Sequence, residues 1–382
     1  MIVLMNHSMV ELIKLGYQSN NCDSYTLWAE RLGFRNPLEV IIPVYNMTDE
    51  VLDILANTQL RTIVSRFIVI DDRGPLDDCE YKLSELKKTL GNYLLVIKNE
   101  RNLGFVCSVN RGLSATNSKS DVIILNSDAK ISYETVDRLI ISAYSFSNVA
   151  TVAPLSNSNG YFSIDMSYFK NKFIDVSAIN HTLSFLPCCM HEPVPVNNGF
   201  CLYITRKCIE SVGFLDEFLY KRGYAEETDL CLRASEKGLL NLVCFNSFGL
   251  HDAGFSFGLE KNSLKLVNGR IVNICYPSFR EDLLRYEKYS IFKRRVAPTI
   301  VNIFDENFIR FEKITINSDK SSSDILLFYN KEIIINSALD EELDLFDLCL
   351  YLILRIRPKI LSDNVKKKFG DQKYDMLNKL IF

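Results

Sequence analysis

Two acidic stretches stand out for the chemistry that their residue types and spacing allow. Asn126-Ser127-Asp128 closes the apolar run Val122-Ile123-Ile124-Leu125. A carboxylate at such a strand tip suits a hard divalent cation, which in turn holds a diphosphate. Glu226, Glu227 and Asp229 crowd the start of a helical pattern that runs to Gly238. Acids this close repel one another, which raises one pKa toward the value a general base needs, and Glu227 is nearest to that task. Both stretches also have plain structural readings: Asn, Ser and Asp favour turns, and acids at a helix start are favoured by the helix dipole. The third group is His251, in Gly249-Leu250-His251-Asp252-Ala253-Gly254-Phe255-Ser256-Phe257-Gly258. A lone histidine is more often structural than ligating, but a strand-terminal one among glycines is suited to complete a metal site with Asp128.

The elements that must position these groups alternate regularly. Strand patterns cover Leu38–Val44, Phe67–Ile70, Tyr93–Ile97 and the run before Asn126. Helical patterns fall between them, over Asp49–Leu60, Tyr81–Leu90 and from Asn102-Leu103-Gly104-Phe105 to Leu113. Such alternation predicts a parallel, doubly wound α/β sheet. Right-handed crossovers put the tips Tyr45-Asn46, Asp71-Asp72 and Asn126-Ser127-Asp128 on one edge, where open sheets bind ligands. No GxGxxG follows the first strand and no GxxxxGK[ST] loop exists, so neither a dinucleotide fingerprint nor a phosphate loop is present. A metal held by Asp128 is then the economical way to neutralise a diphosphate. Further on, Tyr133–Phe146 reads as a helix and Val149–Ala153 as a strand. Val196–Ile204 reads as a strand broken at Asn197-Asn198-Gly199, and Leu239–Phe245 as another strand.

Composition bounds the rest. The 382 residues are 47% hydrophobic and 24% charged with a net charge of -3, which gives no global attraction to nucleic acid. Eleven cysteines without a CxxC pair predict reduced thiols in a cytoplasmic protein. The N-terminus lacks a basic leader, and the longest apolar stretch, Leu348–Leu354, is far short of the roughly 20 residues that span a membrane. Residues 1–37 form an N-terminal helical extension, 38–295 the main domain and 296–382 a smaller, mainly helical accessory region with a helix over Leu339–Ile356. Its Lys366-Lys367-Lys368, like Lys293-Arg294-Arg295 before it, meets an anionic surface or forms a solvated helix face.

Five pieces in order carry a family resemblance: Pro43-Val44-Tyr45-Asn46; Asp71-Asp72; Asn102-Leu103-Gly104-Phe105 with Asn110-Arg111-Gly112; Leu125-Asn126-Ser127-Asp128; and Gly223-Tyr224-Ala225-Glu226-Glu227-Thr228-Asp229-Leu230-Cys231-Leu232-Arg233. Together they resemble family 2 of the nucleotide-sugar glycosyltransferases, in particular a bacterial rhamnosyltransferase-like branch. The resemblance implies a GT-A fold, a Rossmann-like mixed sheet flanked by helices, with Mn2+ or Mg2+ as cofactor and inversion at the anomeric carbon. It implies that Pro43, Val44, Tyr45 and Asn46, with Asp71, Asp72, Asn102, Gly104, Asn110, Asn126 and Ser127, bind the nucleotide. Asp128 stands at the last Asp of the metal-binding DxD motif, Asn126 departing from its first, and His251 resembles a downstream second metal ligand. Glu227 stands at the catalytic base, while Glu226, Asn198 and Gly199 fall on the acceptor side. The implied activity moves a sugar from a UDP- or dTDP-activated donor to a hydroxyl of a glycan or lipid-linked glycan, as in capsule or O-antigen synthesis. The alternative is an inactive binding homologue on the same fold. A peripheral place at the inner membrane face, or a homo-oligomer, would use the C-terminal region.

Overall fold

The computed structural model describes residues 35–46, 49–74, 78–157, 163–164, 176–183, 191–251 and 260–290, and in the C-terminal part only short pieces between 313 and 375. The N-terminal helices expected before residue 35, the glycines at 254 and 258, Lys293-Arg294-Arg295 and the helix expected over 339–356 lie outside the described residues.

Strand β1 (Leu38–Val44) is buried along its whole length. Its one acid, Glu39, is answered by Arg66 at 2.7 Å and by the backbone N–H of Asn117 at 2.7 Å. Helices α1 (Asp49–Ala56) and α2 (Leu60–Ile63) lead to β2 (Arg66–Asp71), and α3 (Asp78–Leu90) leads to β3 (Leu94–Lys98). Helix α4 (Phe105–Ala115) precedes β4 (Asp121–Leu125), which is followed by the two-residue β5 (Ala129–Lys130) and α5 (Tyr133–Ala143). Then come β6 (Val149–Ser156), α6 (Val176–Leu183), β7 (His191–Val194) and β8 (Cys201–Ile204). Helices α7 (Arg206–Val212), α8 (Glu217–Tyr220) and α9 (Glu226–Glu236) lead to β9 (Leu240–His251), and α10 (Glu260–Cys275) and α11 (Phe279–Tyr289) close the body.

The strands form one mixed nine-stranded sheet in the order β3-β2-β1-β4-β8-β6-β9-β5, with β7 also on β9. Alternation along each strand feeds two separate cores. Ile123 and Leu125 join Val40 and Ile42 under α1 and α5, whereas Val122 and Ile124 join Ile41 and Ile68 under α4, α9 and α10. The first four strands are mutually parallel, and β8 then inserts antiparallel between β4 and β6. A purely parallel sheet is therefore not what forms: the chain after β6 returns across the sheet before it can add another crossover.

At its buried start, Asp121 accepts from Tyr203 Oη (2.6 Å), Tyr144 Oη (2.7 Å), Asn36 Nδ2 (3.0 Å) and the N–H of Arg206 (2.7 Å), which anchors β4 to its neighbours. At the other end β1 and β4 are in register only as far as Ile41 and Ile124. Beyond that pair the tips separate, at the point where the strand order turns from β2 to β4, and a crevice opens as expected for such sheets.

The described part of the C-terminal region holds a four-stranded sheet beside short helical pieces after residue 365: β10 (Lys313–Asn317), β11 (Leu326–Tyr329), β12 (Glu332–Asn336) and β13 (Ile360–Leu361), in the order β11-β12-β10-β13. The runs Ile314-Thr315-Ile316 and Ile333-Ile334-Ile335 are wholly β-branched, and stiff χ1 side chains favour extended backbone over helix.

Candidate active site

His251 does not stand in a loop after its strand, as the sequence predicts, but is the last residue of β9. The reason is a bulge. Cys244 is opposite Pro154 and Phe248 opposite Leu155, so three extra residues of β9 fall between successive partners. A buried polar cluster catches them. Asn180 of α6 accepts from Phe248 N–H at 2.9 Å and donates to Phe248 O at 2.9 Å. Thr135 Oγ1 donates to the same carbonyl at 2.7 Å, Ser247 Oγ donates to Thr135 O at 2.9 Å, and Arg138 donates to Asn246 O. Redirected in this way, β9 pairs with β5, His251 opposite Ala129.

That pairing sets His251 Nε2 3.5 Å from Asp128 Oδ1 and 3.3 Å from Asn126 Nδ2. The imidazole is stacked on Phe200, ring centres 5.0 Å apart and 16° from parallel. Phe200 in turn accepts the N–H of Asn126 on its carbonyl at 2.8 Å, so one residue braces both sides of the pair. Among the described residues, Asn126 Oδ1 and His251 Nδ1 are buried without a hydrogen-bond partner. No group of three or more His, Cys, Asp or Glu side chains suited to a metal occurs among the described residues. A carboxylate and an imidazole side by side at the mouth of the crevice nevertheless fit a cation whose remaining positions are filled by phosphate oxygens and water.

The crevice itself is lined by Pro43, Tyr45, Asp72, Asn102, Gly104, Phe105, Asn126, Ser127, Asp128 and Arg222. Asp72 serves it from behind. Its carboxylate accepts from Asn99 Nδ2 (2.7 Å), Leu103 N–H (2.7 Å) and Gly104 N–H (3.0 Å), holding the chain that enters α4. Gly74 lets the following turn lie on the β1 tip, since a Cβ there would fall 1.3 Å from the carbonyl oxygen of Tyr45. Asn46 and Asp71 stand beside this turn, Asp71 accepting the N–H of Arg73 at 3.1 Å.

Glu227 is the second residue of α9 and packs against the turn before β8: a Cβ placed on Gly199 would lie 3.5 Å from the Cβ and Cγ of Glu227. The turn 197–200 thus touches the general-base candidate through Gly199 and the metal-side pair through Phe200. Asn198 Oδ1 accepts from Phe200 N–H at 3.2 Å and keeps the turn closed. Burial pushes the Glu227 carboxyl above its ordinary value, with Lys265 working against the rise. Tyr224 feels charges from both halves. Burial raises its phenol, and the charges of Glu226, Asp128 and Glu227 raise it further. Asp128 and Glu227 therefore bear on one hydroxyl, and the three groups singled out from sequence share a site.

Three sequence expectations need correction. Val44 is wholly buried and packs in the core, because the alternation that exposes Tyr45 turns its predecessor inward. Asn110 lies one helical turn further along α4, where its amide is engaged with Leu215 O (2.9 Å), Leu215 N–H (3.1 Å) and Glu217 (3.2 Å), away from the crevice. Glu226 is 5% exposed, too deep to face an acceptor, and its Oε2 finds no partner among the described residues. Its carboxyl is driven well above the usual range by burial and by Glu227. Asp229, the third acid of the motif, is structural: Tyr276 Oη (2.8 Å) and Arg233 Nε (2.7 Å) both donate to it.

Arg222 and Phe200 were not singled out by sequence. Arg222 could have been found as the base beside Gly223 in a motif otherwise acidic, whereas nothing in the sequence marks Phe200, whose role comes from stacking alone.

Residues 39–191 match the model of Glycosyl transferase family 2. No curated protein matches the chain by sequence. Among solved structures, GalNAc-T7 with UDP, GalNAc and Mn2+ is 14% identical, over 68% of this chain and 52% of that one, at a TM-score of 0.48. The chain thus spans about half of that structure's length. The mannosyltransferase PcManGT from Pyrobaculum calidifontis, in complex with GDP-Man and Mn2+, is 16% identical over 73% and 79%, at 0.47. Glucosyl-3-phosphoglycerate synthase from Mycobacterium tuberculosis, with Mn2+, UDP and phosphoglyceric acid, is 17% identical over 65% and 81%, at 0.44.

Proposed function

We propose that this chain, which carries a glycosyl transferase family 2 domain over residues 39–191, moves a sugar from a nucleoside-diphosphate donor to an acceptor hydroxyl with inversion at the anomeric carbon. The observation that carries the reading is the meeting of the Asp128–His251 pair and Glu227 across the turn 198–200, with Tyr224 feeling charges from both. Pro43 and Tyr45 at the β1 tip supply an apolar wall for the base, and Asn102, Asn126 and Ser127 supply polar contacts beside it.

Asp128 and His251 would hold Mn2+ or Mg2+, and a bound divalent cation offsets the negative charge that gathers on the departing diphosphate. The remaining work belongs to the chain. An acceptor hydroxyl has a pKa far above neutrality, so Glu227 takes its proton as the oxygen attacks. A raised carboxyl pKa strengthens it as a base. The turn 197–200 and the crevice hold acceptor and donor in line, which supplies most of the remaining advantage.

UDP or dTDP as the nucleotide, a growing bacterial surface glycan as the acceptor and a cytoplasmic place at the membrane face follow from the sequence resemblance. The test is a panel of UDP-, dTDP- and GDP-sugars with Mn2+, scored by donor hydrolysis and thermal stabilisation. One donor family should stabilise the protein in proportion to the logarithm of its concentration over its Kd. A panel in which no donor is hydrolysed and none shifts the melting temperature would overturn the reading.

A further inference from the structure

The backbone that delivers Glu227 is held in an unfavourable shape. Between α8 and α9, Lys221 (φ 38°), Gly223 (φ 124°), Tyr224 (φ 69°) and Ala225 (φ 74°) all have positive φ. Only one of the four is glycine. For the others, Cβ crowds the neighbouring carbonyl, so a free chain leaves this conformation. Ala225 is also the N-cap of α9 and offers no capping side chain; the helix start holds it through its carbonyl, which accepts from Asp229 N–H at 2.9 Å.

The restraint comes from α10. Asn268 is 4% exposed, and its Nδ2 donates to the carbonyls of Gly223 at 2.8 Å and of Tyr224 at 2.9 Å. These two carbonyls belong to the peptide planes on either side of Tyr224, so fixing both sets the φ and ψ of Tyr224 and orients the chain entering Ala225. The same helix adds two weaker contacts. Lys265 Nζ lies 5.4 Å from the centre of the Tyr224 ring, and Tyr276, just past the end of α10, donates to Asp229 at 2.8 Å.

We infer that Asn268 is a positioning residue for the transfer reaction: through the carbonyls of Gly223 and Tyr224 it holds the left-handed turn that presents Glu227 to the crevice. It lies beyond the residues that match the family model and touches neither the crevice nor the metal-side pair. The catalytic consequence rests on the glycosyltransferase reading, while the mechanical one does not.

Asn268→Ala should lower kcat about a hundredfold, the scale of a misplacement near 1 Å, with KM for the donor nucleotide sugar within about twofold of wild type. Ala225→Gly added to Asn268→Ala should recover kcat about tenfold, because glycine adopts positive φ without penalty. Trypsin supplies a readout independent of activity, since Lys221 and Arg222 are exposed in this loop. Cleavage there, read by mass spectrometry on the full chain, should become severalfold faster in Asn268→Ala than in wild type. Unchanged kcat in Asn268→Ala, unchanged cleavage at 221–222, or an equal loss of kcat and donor affinity that Ala225→Gly fails to relieve would each overturn the inference. A wild-type protein that neither transfers nor hydrolyses any donor would instead remove the enzymatic reading, and the cleavage rates would still decide whether Asn268 holds the loop.

Discussion

Asp128 Oδ1 and His251 Nε2 stand 3.5 Å apart because Ala129, the next residue after Asp128, is the register partner of His251 across the β5–β9 pair. The pair proposed to hold the metal is thereby built on hydrogen-bonded backbone rather than on loops, which fixes its geometry before any ligand arrives.

Removing either partner should expose this dependence. Asp128→Asn and His251→Ala are each expected to weaken UDP binding in the presence of Mn2+ by at least the roughly 10–100-fold that lost second-shell partners cost. Binding measured with a chelator should be unaffected. Titration calorimetry with and without Mn2+ checks this, and equal affinities in all three proteins would remove the metal assignment.

Glu227→Gln keeps the size and packing against Gly199 but abolishes proton acceptance. Transfer should fall about 10²–10⁴-fold, with UDP affinity within error of wild type. Steady-state rates beside calorimetry separate the two effects, and full turnover in the variant would dismiss Glu227 as the base.

The two adjacent glutamates give a pH signature. Burial raises both carboxyl groups, and the charge of Glu227 also raises Glu226. A carboxyl raised in the folded state binds its proton there more tightly than in the unfolded chain. Its favourable contribution is present at low pH and is lost as pH climbs through the folded value. Glu226→Gln should therefore raise the melting temperature most at alkaline pH and least at the acid end of the range. The acid limb of kcat, set by Glu227, should lie above the ordinary carboxylate range and stay in place in this variant. Melting curves and rates across the pH range test both statements, and a variant less stable than wild type at alkaline pH would contradict the first.

Asp72 should behave as a structural anchor. In Asp72→Ala the Leu103 N–H would lose its acceptor, while Asn99 Nδ2 would keep Ser108 Oγ and Gly104 N–H would keep Asn102 Oδ1, at a cost of about 1–3 kcal/mol. Urea denaturation measures the loss, and a change below about 0.5 kcal/mol, the ordinary scale of a surface substitution, would show that the N-terminus of α4 does not need it.

Much of this molecule was legible in its residues. Apolar runs such as Val40–Val44 and Val122–Leu125 announce buried strands, since a strand covered on both faces has no position for a polar side chain. Their abrupt polar ends mark the crevice edge for the same reason. The acid cluster at 226–229 and the NSD triplet declared themselves by residue type, which needs no tertiary knowledge. Residue type does not say which way a side chain faces: Val44, Asn110 and Glu226 carry suitable neighbours or chemistry yet are buried or engaged elsewhere.

The rest was decided by contacts between distant segments. Nothing around Phe245-Asn246-Ser247 reveals a bulge, because the bulge exists only once Asn180, Thr135 and Arg138 supply partners for its backbone. Without it, β9 would not reach β5, and His251 would not meet Asp128. The left-handed turn at Tyr224-Ala225 is likewise invisible in a sequence where neither residue prefers it, and Asn268 becomes its restraint only when α10 packs behind it. Local composition sets what each segment can do alone; a strained or redirected backbone is stable only when other parts of the chain outweigh that preference, and those parts are chosen by the fold.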